Sequence, residues 1–150
     1  YKDAEDYIVM IVAGPNARKD YHYNETEELF YQLEGHIEVH IQEDGEKKTM
    51  KLGPGDMYLH PAGVPHSPVR HENSIGLVVE RKRKKLNVDD GLLWYCDNCN
   101  NKLYEVKFPL NDIEKDFLKH FKEFYGSKEK RTCDNCGTVM PVDERFVATE

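Results

Sequence analysis

His36-Ile37-Glu38-Val39-His40-Ile41-Gln42 alternates strictly, with Ile37, Val39 and Ile41 on one face. A period of two is the mark of a strand with one face buried in a sheet. Asp44-Gly45 follows as a hairpin turn, and Lys47 to Leu52 reads as the return strand. Upstream, Ile8-Val9-Met10-Ile11-Val12 is an unbroken apolar run ending at Gly14-Pro15, as expected of a strand buried on both faces. Downstream, Gly53-Pro54-Gly55-Asp56 is a turn, Met57-Tyr58-Leu59 a short strand, and Ile75 to Glu80 another. Short strands punctuated by Gly and Pro predict a mainly β chain closed into a sandwich or small barrel.

The 150 residues suit one ordinary domain, or a smaller one with an appendage. A net charge of −7 argues against a protein built to grip phosphate backbones, so no nucleic acid is expected as partner. No run approaches the roughly 20 apolar residues needed to span a bilayer, and no membrane role is expected. Composition changes at Arg81-Lys82-Arg83-Lys84-Lys85, which reads as a solvated linker. The expected division is a barrel over 1–85 and a tail over 86–150. Within the tail an amphipathic helix is predicted over 112–125, capped by Asn111 with Glu114 three residues on and stopped by Gly126. Its apolar stripe is Ile113, Phe117, Leu118, Phe121, Phe124 and Tyr125, a packing face. Cys96, Cys99, Cys133 and Cys136 form two Cys-x-x-Cys pairs, the spacing of metal knuckles for zinc or for iron in a rubredoxin-like site. Such a site staples a tail too small to fold by core burial alone. Thiols kept reduced point to the cytoplasm.

Two further segments resemble the paired motifs of the cupin family, which place metal ligands on facing strands of a small barrel. The first holds His22, Glu28 and Gly35, and the second runs from Gly55-Asp56 through Pro65-His66. A typical cupin has a second His two residues after the first, where this chain has Asn24. Two imidazoles and one carboxylate remain: His22, Glu28 and His66. That set leaves one face of an octahedral ion open, as in non-haem Fe(II) oxygenases. His60, beside Pro61, is the rival ligand. Arg18 and Arg70 stand four residues to either side of the two histidines, and arginine suits a planar carboxylate. Glu80 ends an apolar strand, where an inward carboxylate needs a partner.

Over nearly its whole length the chain also resembles the 3-hydroxyanthranilate 3,4-dioxygenase family. The resemblance rests on Gly14-Pro15-Asn16-Ala17-Arg18-Lys19-Asp20-Tyr21-His22, Glu27-Glu28-Leu29-Phe30-Tyr31-Gln32-Leu33-Glu34-Gly35, Pro65-His66-Ser67-Pro68-Val69-Arg70 and Trp94-Tyr95-Cys96. It implies a cupin barrel holding Fe(II) on His22, Glu28 and His66. The activity implied is cleavage of 3-hydroxyanthranilate by O2 in tryptophan catabolism, leading towards quinolinate and NAD. It further implies that Arg18 faces O2, that Arg70 binds the substrate carboxylate, and that Glu80 meets the polar substituents. Leu29 stands where the family usually has an aromatic residue, and Ala13 where it has Gly. Family members begin with a further segment ahead of the matched stretch. The expected assembly is a homodimer paired through sheet edges. The alternative from a different class is a metal-bearing cupin sensor or binding module with a zinc-ribbon tail.

Overall fold

The computed structural model describes residues 5–83 and 86–147. Lys84 and Lys85 of the basic run lie outside the described residues. Ten strands run in chain order: β1 Tyr7–Ala13, β2 Asp20–Tyr23, β3 Glu28–Glu34, β4 Ile37–Glu43, β5 Glu46–Leu52, β6 Met57–His60, β7 His66–Arg70, β8 Ile75–Arg81, β9 Asp90–Tyr95 and β10 Lys102–Phe108. Helix α1 (Ile113–Gly126), the short helix α2 (Lys128–Arg131) and a 3-10 turn at Glu144–Phe146 follow.

The strands form a four-stranded sheet ordered β1-β8-β3-β6 and a six-stranded sheet ordered β10-β9-β2-β7-β4-β5, with every pairing antiparallel. The strict alternation in the sequence is realised in β4. Ile37, Val39 and Ile41 are buried and meet Phe30 of β3 and Val78 of β8 in one core. Asp44 and Gly45 both adopt positive φ, the backbone a two-residue hairpin between β4 and β5 requires. The cupin-type mainly β fold is therefore as expected.

The β1 reading needs correction. It is an edge strand, paired only with β8 among the described strands, and Ile11 is 65% exposed. Its unbroken apolar run does not mean burial on both faces. One face, with Met10 and Val12, packs on the core, and the other joins an apolar outer surface.

The regions set apart at residue 85 share one sheet, because β9 is bonded to β2 in register Asp20↔Trp94 through Tyr23↔Gly91. Helix α1 lays Phe117, Phe121 and Phe124 on Leu92 and Trp94 of β9 and Phe108 of β10. Trp94 and Phe124 stack with centroids 4.3 Å apart. The cap is Asp112 rather than Asn111: its side chain accepts from the Lys115 amide, while Asp116 accepts from the Asn111 and Asp112 amides. A carboxylate caps as well as an amide and also favours the positive helix end. Gly126 lies inside the helix, and Ser127 caps its end. Leu118 of the predicted stripe is exposed, and His120 is buried in its place, its ring tilted against Phe108 with centroids 4.3 Å apart.

Candidate metal centre

The inner face of the four-stranded sheet carries one polar row. Glu28 of β3 is paired with His60 of β6 on one side and Glu80 of β8 on the other. Across the barrel, β2 and β7 are in register at His22↔His66. The two sheets thus bring His22, Glu28 and His66 together, all buried, with one ligand atom from each within 4.8 Å of the others. His66 Nε2 lies 3.1 Å from Glu28 Oε2, and His22 Nδ1 lies 3.9 Å from the same oxygen.

These residues fit a divalent metal. Glu28 Oε2 is buried and makes no hydrogen bond, with His66 Nε2 as its near neighbour. A buried carboxylate oxygen in that position is costly unless a cation takes it. Burial alone would raise the Glu28 carboxyl, but His66, His22 and Arg83 outweigh it and hold it at about 2. The carboxylate is therefore ready as an anionic ligand.

The rival His60 is excluded by its bonds. Its Nε2 donates to the Val64 carbonyl at 2.7 Å, which leaves Nδ1 to accept from the Tyr58 hydroxyl at 3.1 Å. Asn24, in the place of the typical cupin histidine, is also occupied. Its Oδ1 accepts from the amide and hydroxyl of Thr26, and its Nδ2 donates to Glu80 at 3.4 Å. Three ligands converge and the flanking side chains are engaged elsewhere.

Arg70 is buried, and its Nη1 has no partner. Burial pulls its pKa down while the charge of Glu28 pushes the other way. A Cβ on Gly76 would stand 2.8 Å from that Nη1, so the guanidinium occupies space only a glycine leaves free. Glu80 is buried, and burial together with Glu28 raises its pKa against the pull of Arg83. Arg18 sits further out, with Nε 3.3 Å from Asp20 and its guanidinium over the rings of Phe117 and Phe121. Phe117 also touches the His22 ring, at 5.2 Å between centroids.

Two residues at the site escaped the sequence reading. Asp90, fully buried, accepts from His22 Nε2 at 2.5 Å. Arg83, read as part of a solvated linker, is 3% exposed and binds both Asp90 and Glu80. Asp90 carries no local mark of its contact with His22, which lies far away in the chain, whereas Glu80 and Asp90, three residues before Arg83 and seven after it, are a local signal that could have found Arg83.

The second cluster is Cys96, Cys99, Cys133 and Cys136, all free thiols, with Sγ atoms within 4.8 Å of one another. Its halves repeat one geometry. The Asn100 amide donates to the Cys96 carbonyl and the Gly137 amide to the Cys133 carbonyl, at 2.9 and 2.8 Å, and both residues take positive φ. The hydroxyl and amide of Thr138 hold the Cys136 thiol down at about 5, favouring the thiolate a metal requires. Asn100 also exchanges two side-chain hydrogen bonds with Gln42 of β4, at 2.7 and 2.9 Å, which fastens the knuckle to the barrel.

The chain is 51% identical over 146 residues to a 3-hydroxyanthranilate 3,4-dioxygenase of Xanthomonas campestris pv. campestris, covering 97% of this chain and 82% of that one. It is 42% identical over 142 residues to the enzyme of the same name from Bacillus thuringiensis, covering 94% and 78%. Among solved structures, a cupin-2 domain protein from Shewanella frigidimarina superposes with a TM-score of 0.39 at 24% identity, covering 50% of this chain and 68% of that one. The family pattern of 3-hydroxyanthranilic acid dioxygenase matches residues 2–125, a span that includes His22, Glu28 and His66, and the chain belongs to that family.

Proposed function

We propose that this chain is an Fe(II)-dependent extradiol dioxygenase. It opens the ring of 3-hydroxyanthranilate with O2 to give 2-amino-3-carboxymuconate semialdehyde, on the kynurenine route to quinolinate and NAD. The observation that carries the reading is the buried His22, Glu28 and His66 trio with a carboxylate oxygen that makes no hydrogen bond, in a chain of this family.

When bound, Fe(II) with an open face supplies the redox chemistry that joins O2 to an aromatic ring. The protein's own groups bind and orient. Arg70, with its unpartnered Nη1, takes the substrate carboxylate, a task suited to a planar guanidinium. Glu80 accepts hydrogen bonds from the hydroxyl and amino substituents, and its raised pKa suits its carboxylate to receive a proton there. Arg18 faces O2 and the reacting oxygens, and preorganised positive charge stabilises anionic oxygen as it develops. Its link to the site is Phe117, which meets both the Arg18 guanidinium and the His22 ring. Phe30, between the polar row and the core, helps keep water out.

The four cysteines hold zinc or iron in a structural role, since ring cleavage returns its electrons within the cycle. The free thiols fit a cytoplasmic setting. No helix among the described residues is long and apolar enough to cross a membrane. Two copies of the chain pair as a homodimer, a reading supported by the exposed apolar face of the four-stranded sheet.

Anaerobic loading with Fe(II), then 3-hydroxyanthranilate and O2, tests the reading. Stoichiometric substrate loss with appearance of the semialdehyde absorbance is expected, and Glu28→Ala loses iron and activity together. Iron-loaded protein that consumes neither O2 nor substrate overturns it.

A further inference from the structure

Arg83 lies outside the expected catalytic set, yet it is the most heavily bonded side chain near the site. Its Nε donates to Asp90 Oδ1 at 2.8 Å and its Nη2 to Asp90 Oδ2 at 2.8 Å, a two-pronged grip on one carboxylate. The same Nη2 donates to Glu80 Oε2 at 2.6 Å, and Nη1 donates to the Arg81 carbonyl. Both carboxylates also reach towards the candidate site. Asp90 accepts from His22 Nε2 at 2.5 Å, while Glu80 sits beside Glu28 in the sheet register. All three charged side chains are at most 3% exposed. A guanidinium is the group that can hold two carboxylates at fixed angles, whereas an ammonium is a point charge without that fork.

We propose that Arg83 is a positioning residue that ties the two ends of the site together. Through Asp90 it fixes the ring of His22 for the metal, and through Glu80 it sets the carboxylate that meets the substrate. Partners behind a metal-bound histidine orient its ring, and losing one typically costs about 10- to 100-fold in metal affinity. One side chain here serves both the metal end and the substrate end, so its loss weakens both affinities. The proposal rests on the functional reading above.

The test uses the full chain with its cysteine site left filled. Arg83→Lys keeps the charge and removes the fork; Arg83→Gln keeps hydrogen bonding and removes the charge. Asp90→Asn cuts the histidine branch, and Glu80→Gln alters the substrate branch. Folding is checked by Tm. Fe(II) affinity is read anaerobically by competition with a chromophoric chelator, and substrate affinity by anaerobic titration with 3-hydroxyanthranilate. EPR of the nitric oxide adduct reports the field around an iron that has an open position.

Asp90→Asn is expected to lower Fe(II) affinity by about 10- to 100-fold and to shift the EPR rhombicity. Arg83→Lys reproduces that shift and also weakens substrate binding, as Glu80→Gln does without the shift. In Fe(II) affinity the Arg83→Lys/Asp90→Asn double variant falls no further than the worse single, because both act through one route. If the Arg83 variants lower Tm but leave Fe(II) affinity, substrate affinity and EPR as in the wild type, the inference is overturned alone. Additive losses in the double variant overturn it as well. A wild-type chain that binds no iron overturns the functional reading and this inference with it.

Discussion

Each side chain at the centre has a stated bond or a stated lack of one, and the lacks are as telling as the bonds. Glu28 Oε2 and Arg70 Nη1 are buried polar atoms that make no hydrogen bond, whereas His60 and Asn24 beside them are satisfied. A folded chain rarely leaves polar atoms orphaned in its interior without a use for them. Arg70→Ala is therefore expected to raise KM for 3-hydroxyanthranilate on the order of 10- to 100-fold, the worth of charge-assisted hydrogen bonds to a carboxylate. Iron content stays unchanged, and steady-state kinetics beside metal analysis check both. Gly76→Ala gives the same signature by a different route: its methyl displaces the Arg70 guanidinium, so KM rises while Tm moves little. A Tm collapse in Gly76→Ala, with KM retained in the surviving protein, contradicts that account.

At the scale of elements, the barrel depends on two fastenings: the aromatic seam under α1 and the cysteine knuckles. Phe124 is fully buried, stacked on Trp94 and packed edge-on to Tyr125. Phe124→Ala is expected to cost about 3–5 kcal/mol, seen as a lower denaturant midpoint. Removing the metal proposed for the four-cysteine site, by a strong thiol-competing chelator or by Cys99→Ser, is expected to free both knuckles and loosen the 96–137 segment first; hydrogen exchange there reads it directly. The same elements show why some of the fold was legible in the sequence and some was not. Strands β4 and β5 and helix α1 announce themselves by periodicity, since Ile37, Val39 and Ile41 alternate and the α1 phenylalanines fall on one face. Strands β2, β3 and β7, which carry the candidate ligands, do not, because His22, Glu28, His66 and Arg70 fill inward positions that an ordinary strand gives to apolar residues. Polar residues interrupt the pattern there, so the motif spacing picked out three side chains that the fold brings together, while the periodicity missed their strands. Arg83 and Asp90 were missed for another reason. Among lysines Arg83 reads as solvated although its carboxylates, Glu80 and Asp90, stand close in sequence, and only the fold buries all three.

Across the whole molecule, the two sheets differ in what they turn outwards. On the four-stranded sheet the outer positions line up in two apolar rows: Val9, Val79, Leu29 and Leu59 in one, and Ile11, Leu77, Tyr31 and Met57 in the other. Met57 is 70% exposed and Leu59 56%, a surface suited to pairing with another copy. Met57→Lys with Leu59→Lys is expected to shift the protein towards monomer in sedimentation, with iron content retained. An unchanged sedimentation profile assigns the dimer to another face or to none. The centre itself lies on the inner side, where both sheets contribute ligands, so it exists only when the barrel closes. The most direct test of that centre is a structure of the Fe(II)-loaded protein with anomalous diffraction at the iron edge. The expected result is one iron bound by His22, Glu28 and His66, with its remaining positions held by solvent. Iron bound elsewhere, or a fourth protein atom such as one from His60 or Asn24 closing its open face, contradicts it.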